Sequence, residues 1–366
     1  MPDIRAVTAF LAEVQREIEH SRRRGRNVIK HAMGINPTQV GLSAKKVVWR
    51  RDKVELWRYR NPKILYHPPI IFVMSLVTRN YILDLRPGNS VVERFRDAGF
   101  DVFLLNWGIP DEADSQNTLE TYVDGYLPMA VEAVRHETRS RSVGLLGYCL
   151  GGVLSLLFAA AHHEVRLSGL AVMATPVDYS KMGLPMSMLT EGRLDAEALF
   201  DHTGNVPAEV IRNSFRIRRP TADAVRLVTL WENLGNDDYL AGYQALNQWI
   251  NDHIPFPGAT ASQVTRFFVR ENCLATGSIP LGQRKVSLRS VRCPVLNVAA
   301  ETDDVVPIEA AEPIIRLVGS KDVEELRIKA GHVALVSGRI AAEVTIPGMI
   351  DWFCRHSQTL VRARST

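Results

Sequence analysis

Ser142-Val-Gly-Leu-Leu-Gly-Tyr-Cys-Leu-Gly-Gly-Val153 is a short apolar run that ends in Gly-x-Cys-x-Gly. An apolar strand broken by that pentad reads as a nucleophile elbow, a sharp strand-to-helix turn that lifts one side chain above the sheet. Gly147 and Gly151 flank Cys149 at two residues' distance, where side chains would collide in so tight a turn. Sulfur stands here where such turns more often carry a serine oxygen. A thiolate is a strong nucleophile near neutral pH and suits thioester exchange. The stretch therefore predicts a buried strand, an elbow and acyl transfer through Cys149.

Working outward, Ile70–Met74, Val102–Leu105, Leu170–Met173 and Val295–Ala299 are further short apolar runs bounded by turns. Such runs suit strands buried on both faces of a parallel sheet. Between them lie helical stretches such as Thr118–Val134, and strand alternating with helix predicts an α/β sheet covered on both sides. Lys46–Arg60 alternates apolar and polar residues around Arg51-Asp-Lys53, the pattern of a hairpin. Residues 1–35 place Phe10, Leu11, Val14 and Ile18 at helical spacing. After Thr175-Pro-Val-Asp-Tyr179 the strand rhythm stops, and it resumes at Pro294. Residues 180–288 read as a mostly helical cap, inserted into a core made of 36–179 and 289–366.

The chain has 366 residues, 46% hydrophobic and 23% charged, with a net charge of +4. This is a globular composition, and the charge is too mild to argue for nucleic acid. Arg22, Arg23, Arg24, Arg26 and Lys30 read as a solvated helix face, with contact to an anionic surface or partner as the other possibility. Cys149, Cys273, Cys293 and Cys354 show no CxxC spacing, so neither a zinc site nor a disulfide framework is expected. The first residues lack a signal pattern and no apolar run approaches membrane-span length. A cytoplasmic protein without a transmembrane segment or bound metal is the expectation.

A cysteine nucleophile needs a base, and the base an orienting acid. In α/β-hydrolase-type chains these follow in the order nucleophile, acid, histidine. Ala300-Glu-Thr-Asp-Asp-Val-Val-Pro307 leaves the Val295–Ala299 strand, and Ile328-Lys-Ala-Gly-His332 leaves the last strand. Both would sit at the carboxyl edge of the sheet, where the elbow points. Asp303 is preferred over Asp304 because it stands four residues before Pro307. Cys149, Asp303 and His332 are thus the expected triad. An oxyanion hole needs two backbone N–H groups. Leu150 is assigned as one, and the loop after Ile70–Met74, at Leu76 and Val77, as the source of the other.

Longer segments carry a family resemblance. They are Met74–Ser90, Asn106-Trp-Gly-Ile-Pro-Asp-Glu-Ala-Asp114, Gly147-Tyr-Cys-Leu-Gly-Gly152, Ala174-Thr-Pro-Val-Asp178, Cys293-Pro-Val-Leu-Asn297, Asp303-Asp-Val-Val-Pro307 and Gly331–Gly338. Over roughly residues 35–355 the chain resembles polyhydroxyalkanoate synthases, in particular the short catalytic subunits of class III and IV. The resemblance implies an α/β-hydrolase fold with a cap. It implies that Cys149 accepts the acyl group of a (3R)-hydroxyacyl-CoA, that His332 activates the thiol and then the incoming hydroxyl, and that Asp303 orients His332. No separate cofactor is implied. A second, non-catalytic synthase subunit, homodimerisation and a place on polyester granules are. Asn106, Ile109, Leu150 and Asp304 depart from the usual family residues, which marks a divergent member.

The same scaffold could pass the acyl group to water. A Cys-dependent thioesterase, a dienelactone-hydrolase-like enzyme or an intracellular polyester depolymerase is the alternative. A non-catalytic granule-associated or scaffold protein is a third reading, against which the intact Cys149, Asp303 and His332 stand.

Overall fold

The computed structural model describes residues 39–184, 186–217 and 229–360, together with Gln15. Apart from Gln15, the expected N-terminal helical segment 1–35, with its cluster of arginines, lies outside the described residues.

Eight strands form one sheet. They are β1 (Lys45–Arg51), β2 (Val54–Tyr59), β3 (Ile70–Val73), β4 (Val102–Asn106), β5 (Val143–Tyr148), β6 (Leu167–Met173), β7 (Val295–Ala300) and β8 (Val323–Ile328). Their order is β1-β2-β4-β3-β5-β6-β7-β8. β1 and β2 pair antiparallel as the expected hairpin, and β2 pairs antiparallel with β4. Every other neighbour is parallel.

The apolar runs form strands because both faces of the sheet are covered. Successive residues point to opposite faces, so β3 sends Ile71 and Val73 into one core and Ile70 and Phe72 into the other. β4 divides in the same way, Phe103 and Leu105 against Val102 and Leu104. Helices close both cores. α1 (Val91–Asp97) buries Val91, Val92 and Phe95 on the second face. α2 (Leu127–Thr138) and α3 (Leu150–Ala161) cover the first face. Each fully buried Val, Leu, Ile or Phe contributes roughly 1.5–3 kcal/mol. Ser90 caps α1 by accepting the Glu93 N–H at 3.0 Å.

Between β6 and β7 no described residue joins the main sheet. This stretch carries α4 (Ala208–Ile217) and α5 (Asp237–Asn251). It is not wholly helical. Ser278–Leu281 and Arg284–Ser287 form a hairpin, and Asn205–Val206 pairs with Phe256–Pro257. Ile279, Leu281 and Val286 alternate into the core, and Gly282 makes the turn at φ 58°. After β8, α6 (Ile346–Arg355) packs Met349, Trp352 and Phe353 against the second face.

Candidate active site

The elbow is formed as its glycines require. Cys149 has φ 55° and ψ −122° between β5 and α3, a conformation that a non-glycine residue adopts only at an energetic cost. It is held by its own N–H, which donates to the Met173 carbonyl at 2.9 Å, and by its carbonyl, which accepts the Gly152 N–H at 2.9 Å. A Cβ on Gly147 would lie 2.5 Å from the Gly152 Cα. One on Gly151 would strike the Val73 carbonyl oxygen and lie 2.7 Å from the Met74 carbonyl carbon. The start of α3 therefore touches the backbone that leaves β3, which brings Leu150 and the Ser75–Val77 loop to the same corner.

Asp303 and His332 meet at this edge. Asp303 Oδ2 lies 2.7 Å from His332 Nδ1, while Oδ1 accepts the Val305 and Val306 N–H groups at 2.8 Å each. Both residues are buried. Burial alone would lower the His332 pKa, but the charge and hydrogen bond of Asp303 override it, with a further contribution from Cys149, and raise it from 6.5 to about 10. Cys149 lines the same cavity as His332. The three residues expected as a triad are thus assembled, and Asp303 rather than Asp304 bonds the histidine. Leu150 and Leu76 bury their side chains in the core, and Val77 lines the cavity described next.

Cys149 and His332 open into a cavity of about 120 Å³. Ser75, Val77 and Thr78 line it from the β3 loop, Tyr148, Val305 and Val333 from the sheet edge. The remaining wall comes from the stretch between β6 and β7: Arg212, Phe215 and Arg216 of α4, Trp249 and Ile250 of α5, and His253. That wall is tied to the β3 loop. Trp249 Nε1 donates to the Arg79 carbonyl at 2.7 Å and Tyr81 Oη to Asp252 Oδ2 at 3.0 Å. The Ile254 N–H donates to the Val77 carbonyl at 3.4 Å, and Thr78 and His253 form an isolated antiparallel bridge.

The cavity also holds groups to which the sequence reading gave no role. The Tyr148 hydroxyl donates to the His332 carbonyl at 3.3 Å, and its ring packs on the imidazole at 5.1 Å. Burial keeps that hydroxyl firmly protonated. His253 is one of ten histidines, and its only signal was its place beside the turn-rich Pro255-Phe-Pro-Gly258. Its ring packs tilted against Phe215, centroids 5.2 Å apart. Burial drives its pKa down to about 4, so it is neutral at pH 7.

Elsewhere, ligand atoms of Asp322, Glu324 and His356 lie within 4.8 Å of one another. They sit at the opposite edge, where β8 begins. His356 and Asp322 already pair at 3.0 Å and Glu324 pairs with Arg355 at 2.6 Å. Cys273, Cys293 and Cys354 are free, half-buried thiols, and burial pushes Cys293 up to about 12.

A family model described as "alpha/beta hydrolase fold" matches residues 68–338. The poly(3-hydroxyalkanoate) polymerase subunit PhaC of Allochromatium vinosum is 31% identical over 343 residues, covering 92% of this chain and 96% of that protein. The chain belongs to the poly(3-hydroxyalkanoate) polymerase family. It is an enzyme of that family, built on the α/β-hydrolase fold. The PhaC subunit of Haloferax mediterranei is 33% identical over 329 residues, covering 89% of this chain but 66% of that protein. Among solved structures, the monoacylglycerol lipase of Paleococcus ferrophilus matches with a TM-score of 0.50 at 15% identity, covering 82% of this chain and 99% of that one. This likeness concerns the fold. Among the described residues no helix is long and apolar enough to cross a membrane.

Proposed function

We propose that the chain is a poly(3-hydroxyalkanoate) synthase that carries its acyl group on Cys149. The observation that carries this reading is the buried Asp303–His332 pair, 2.7 Å apart, beside a cysteine that lines the same cavity in a chain of the polymerase family. Cys149 Sγ attacks the thioester carbonyl of a (3R)-hydroxyacyl-CoA. The carbon–sulfur bond to CoA breaks, and the proton held between Cys149 and His332 leaves on the CoA thiol. The oxyanion faces the Leu150 N–H and an N–H of the Leu76–Val77 loop. His332, now neutral, takes the proton of a chain-end hydroxyl. That oxygen attacks the Cys149 thioester, and the polyester is one unit longer when the thiolate is released. Asp303 keeps the imidazole in the orientation that faces sulfur.

The β6–β7 stretch acts as a cap, since it forms one wall of the cavity. The steps close on Cys149, His332 and the thioester without a further cofactor. That several relatives are named as polymerase subunits supports a second, non-catalytic chain. Homodimerisation and work in the cytoplasm at a polymer surface belong to the same reading.

Purified protein incubated with 3-hydroxybutyryl-CoA is expected to release CoA and deposit insoluble polyester, with or without a partner subunit. Cys149→Ala is expected to stop both. CoA release with only free acid as product would replace the synthase by the hydrolase, and full turnover by Cys149→Ala would remove the covalent route.

A further inference from the structure

Four residues lining the Cys149 cavity own buried polar atoms without a hydrogen-bond partner: Ser75 Oγ, Thr78 Oγ1, Arg212 Nε and His253 Nδ1. One orphaned buried hydroxyl is a defect. Two such hydroxyls and two unpaired nitrogens around one cavity are a set suited to a ligand or ordered water, because buried polar groups are otherwise satisfied. Arg212 has a second engagement, since its Nη2 reaches Glu209 at 3.8 Å. Arg216 lends its Nη2 to Asn251. Ser75 and Thr78 leave their hydroxyls unpaired, the His253 ring has the Ile250 backbone as its hydrogen-bond neighbour, and the three are held together by the Thr78–His253 bridge and the Val77–Ile254 hydrogen bond.

We propose that Ser75, Thr78 and His253 form a subsite for a neutral hydroxyl on the acyl chain, and so select hydroxyacyl thioesters over plain acyl thioesters of equal length. The chemistry of the set fits that ligand. A hydroxyl both donates and accepts one hydrogen bond or more, and two hydroxyls with a neutral imidazole can answer it in either direction. The three side chains bring no charge, since His253 is neutral at pH 7, and suit a neutral oxygen; the cavity's two cations, Arg212 and Arg216, stand apart on α4 and are engaged by Glu209 and Asn251. The cavity, about 120 Å³, keeps that oxygen within a few bonds of the carbonyl bound at Cys149. The apolar walls of Val77, Val305 and Val333 take the methylenes.

This subsite rests on the synthase reading, and one experiment separates the two. Because butyryl-CoA brings no hydroxyl to discharge the acyl-enzyme, the first-turnover burst of CoA, one acylation per Cys149, is measured for the full chain with 3-hydroxybutyryl-CoA and with butyryl-CoA, in the wild type and in Thr78→Val, His253→Phe and His253→Asn. A site that hydrogen-bonds a substrate hydroxyl rejects the analogue without it, so the wild type is expected to favour the hydroxyacyl substrate by about a hundredfold or more in the rate of this acylation burst. Thr78→Val and His253→Phe are expected to cut that ratio about tenfold or more each. His253→Asn, which keeps a polar atom near the Nδ1 position, is expected to preserve most of it. The ratio is the readout because a loosened fold lowers both substrates together. A wild-type ratio near one, or a ratio unmoved in both Thr78→Val and His253→Phe, would overturn the subsite. If one variant fails to fold, the ratio in the other decides. CoA release from neither thioester would overturn the synthase reading and the subsite with it.

Discussion

Asp303 and Asp304 are adjacent and chemically identical, yet only one bonds the histidine. Asp303 lies in a loop whose Val305 and Val306 N–H groups fix one carboxylate oxygen and leave the other for His332. This much was legible in the sequence, because chain order and the spacing to Pro307 single out one aspartate and one histidine. Tyr148, Thr78 and His253 were not legible, since their roles arise from contacts across the fold and no local motif marks them. The pair has a measurable pH signature. Folding raises the His332 pKa from 6.5 to about 10. A raised folded-state pKa stabilises the protein in full below the unfolded value, and that contribution is lost as pH rises through the folded value. The difference in unfolding free energy between wild type and Asp303→Asn is therefore expected to be largest near about pH 6 and to shrink toward about pH 10. Urea denaturation across that range checks it, and a difference that grows with pH would contradict the raised pKa.

Among elements, the strands of the central sheet were readable because burial on both faces demands unbroken apolar runs. The hairpin at Ser278–Leu281 and Arg284–Ser287 was not read as strands, because it is short and Pro280 interrupts its alternation. The attachment of α5 to the β3 loop was equally hidden, since the Trp249 bond to Arg79 joins residues 170 positions apart. That bond is testable alone. Trp249 is buried, so Trp249→Phe keeps most of the ring and deletes the indole bond to the Arg79 carbonyl. A net hydrogen bond of this kind is worth about 0.5–1.5 kcal/mol, and a loss of that size is expected in chemical denaturation. CoA release is expected to fall as well, because the same clamp holds Thr78 and His253 in place. Unchanged stability together with unchanged CoA release would show that α5 is anchored by packing alone.

At the scale of the whole molecule, the parallel sheet gathers three distant loops at its carboxyl edge, after β5, β7 and β8, and the β6–β7 stretch roofs them. The roof is the part that sequence periodicity described least, because helical spacing tells which face of a helix is apolar and not what that face covers. In the structure α4 and α5 line the same cavity as Cys149, so under the proposed mechanism they belong to the acyl site. Hydrogen exchange on Cys149→Ala, which binds a thioester without consuming it, distinguishes the two arrangements. With 3-hydroxybutyryl-CoA present, slower exchange is expected in 75–79, 208–217 and 249–254, the segments that line the cavity. The hairpin at 278–287, which contributes no lining residue, is expected to exchange at its free rate. Protection confined to 75–79 would mean that the acyl group reaches Cys149 without touching the roof, and the cavity in this structure would then be a closed resting state that opens before the substrate binds.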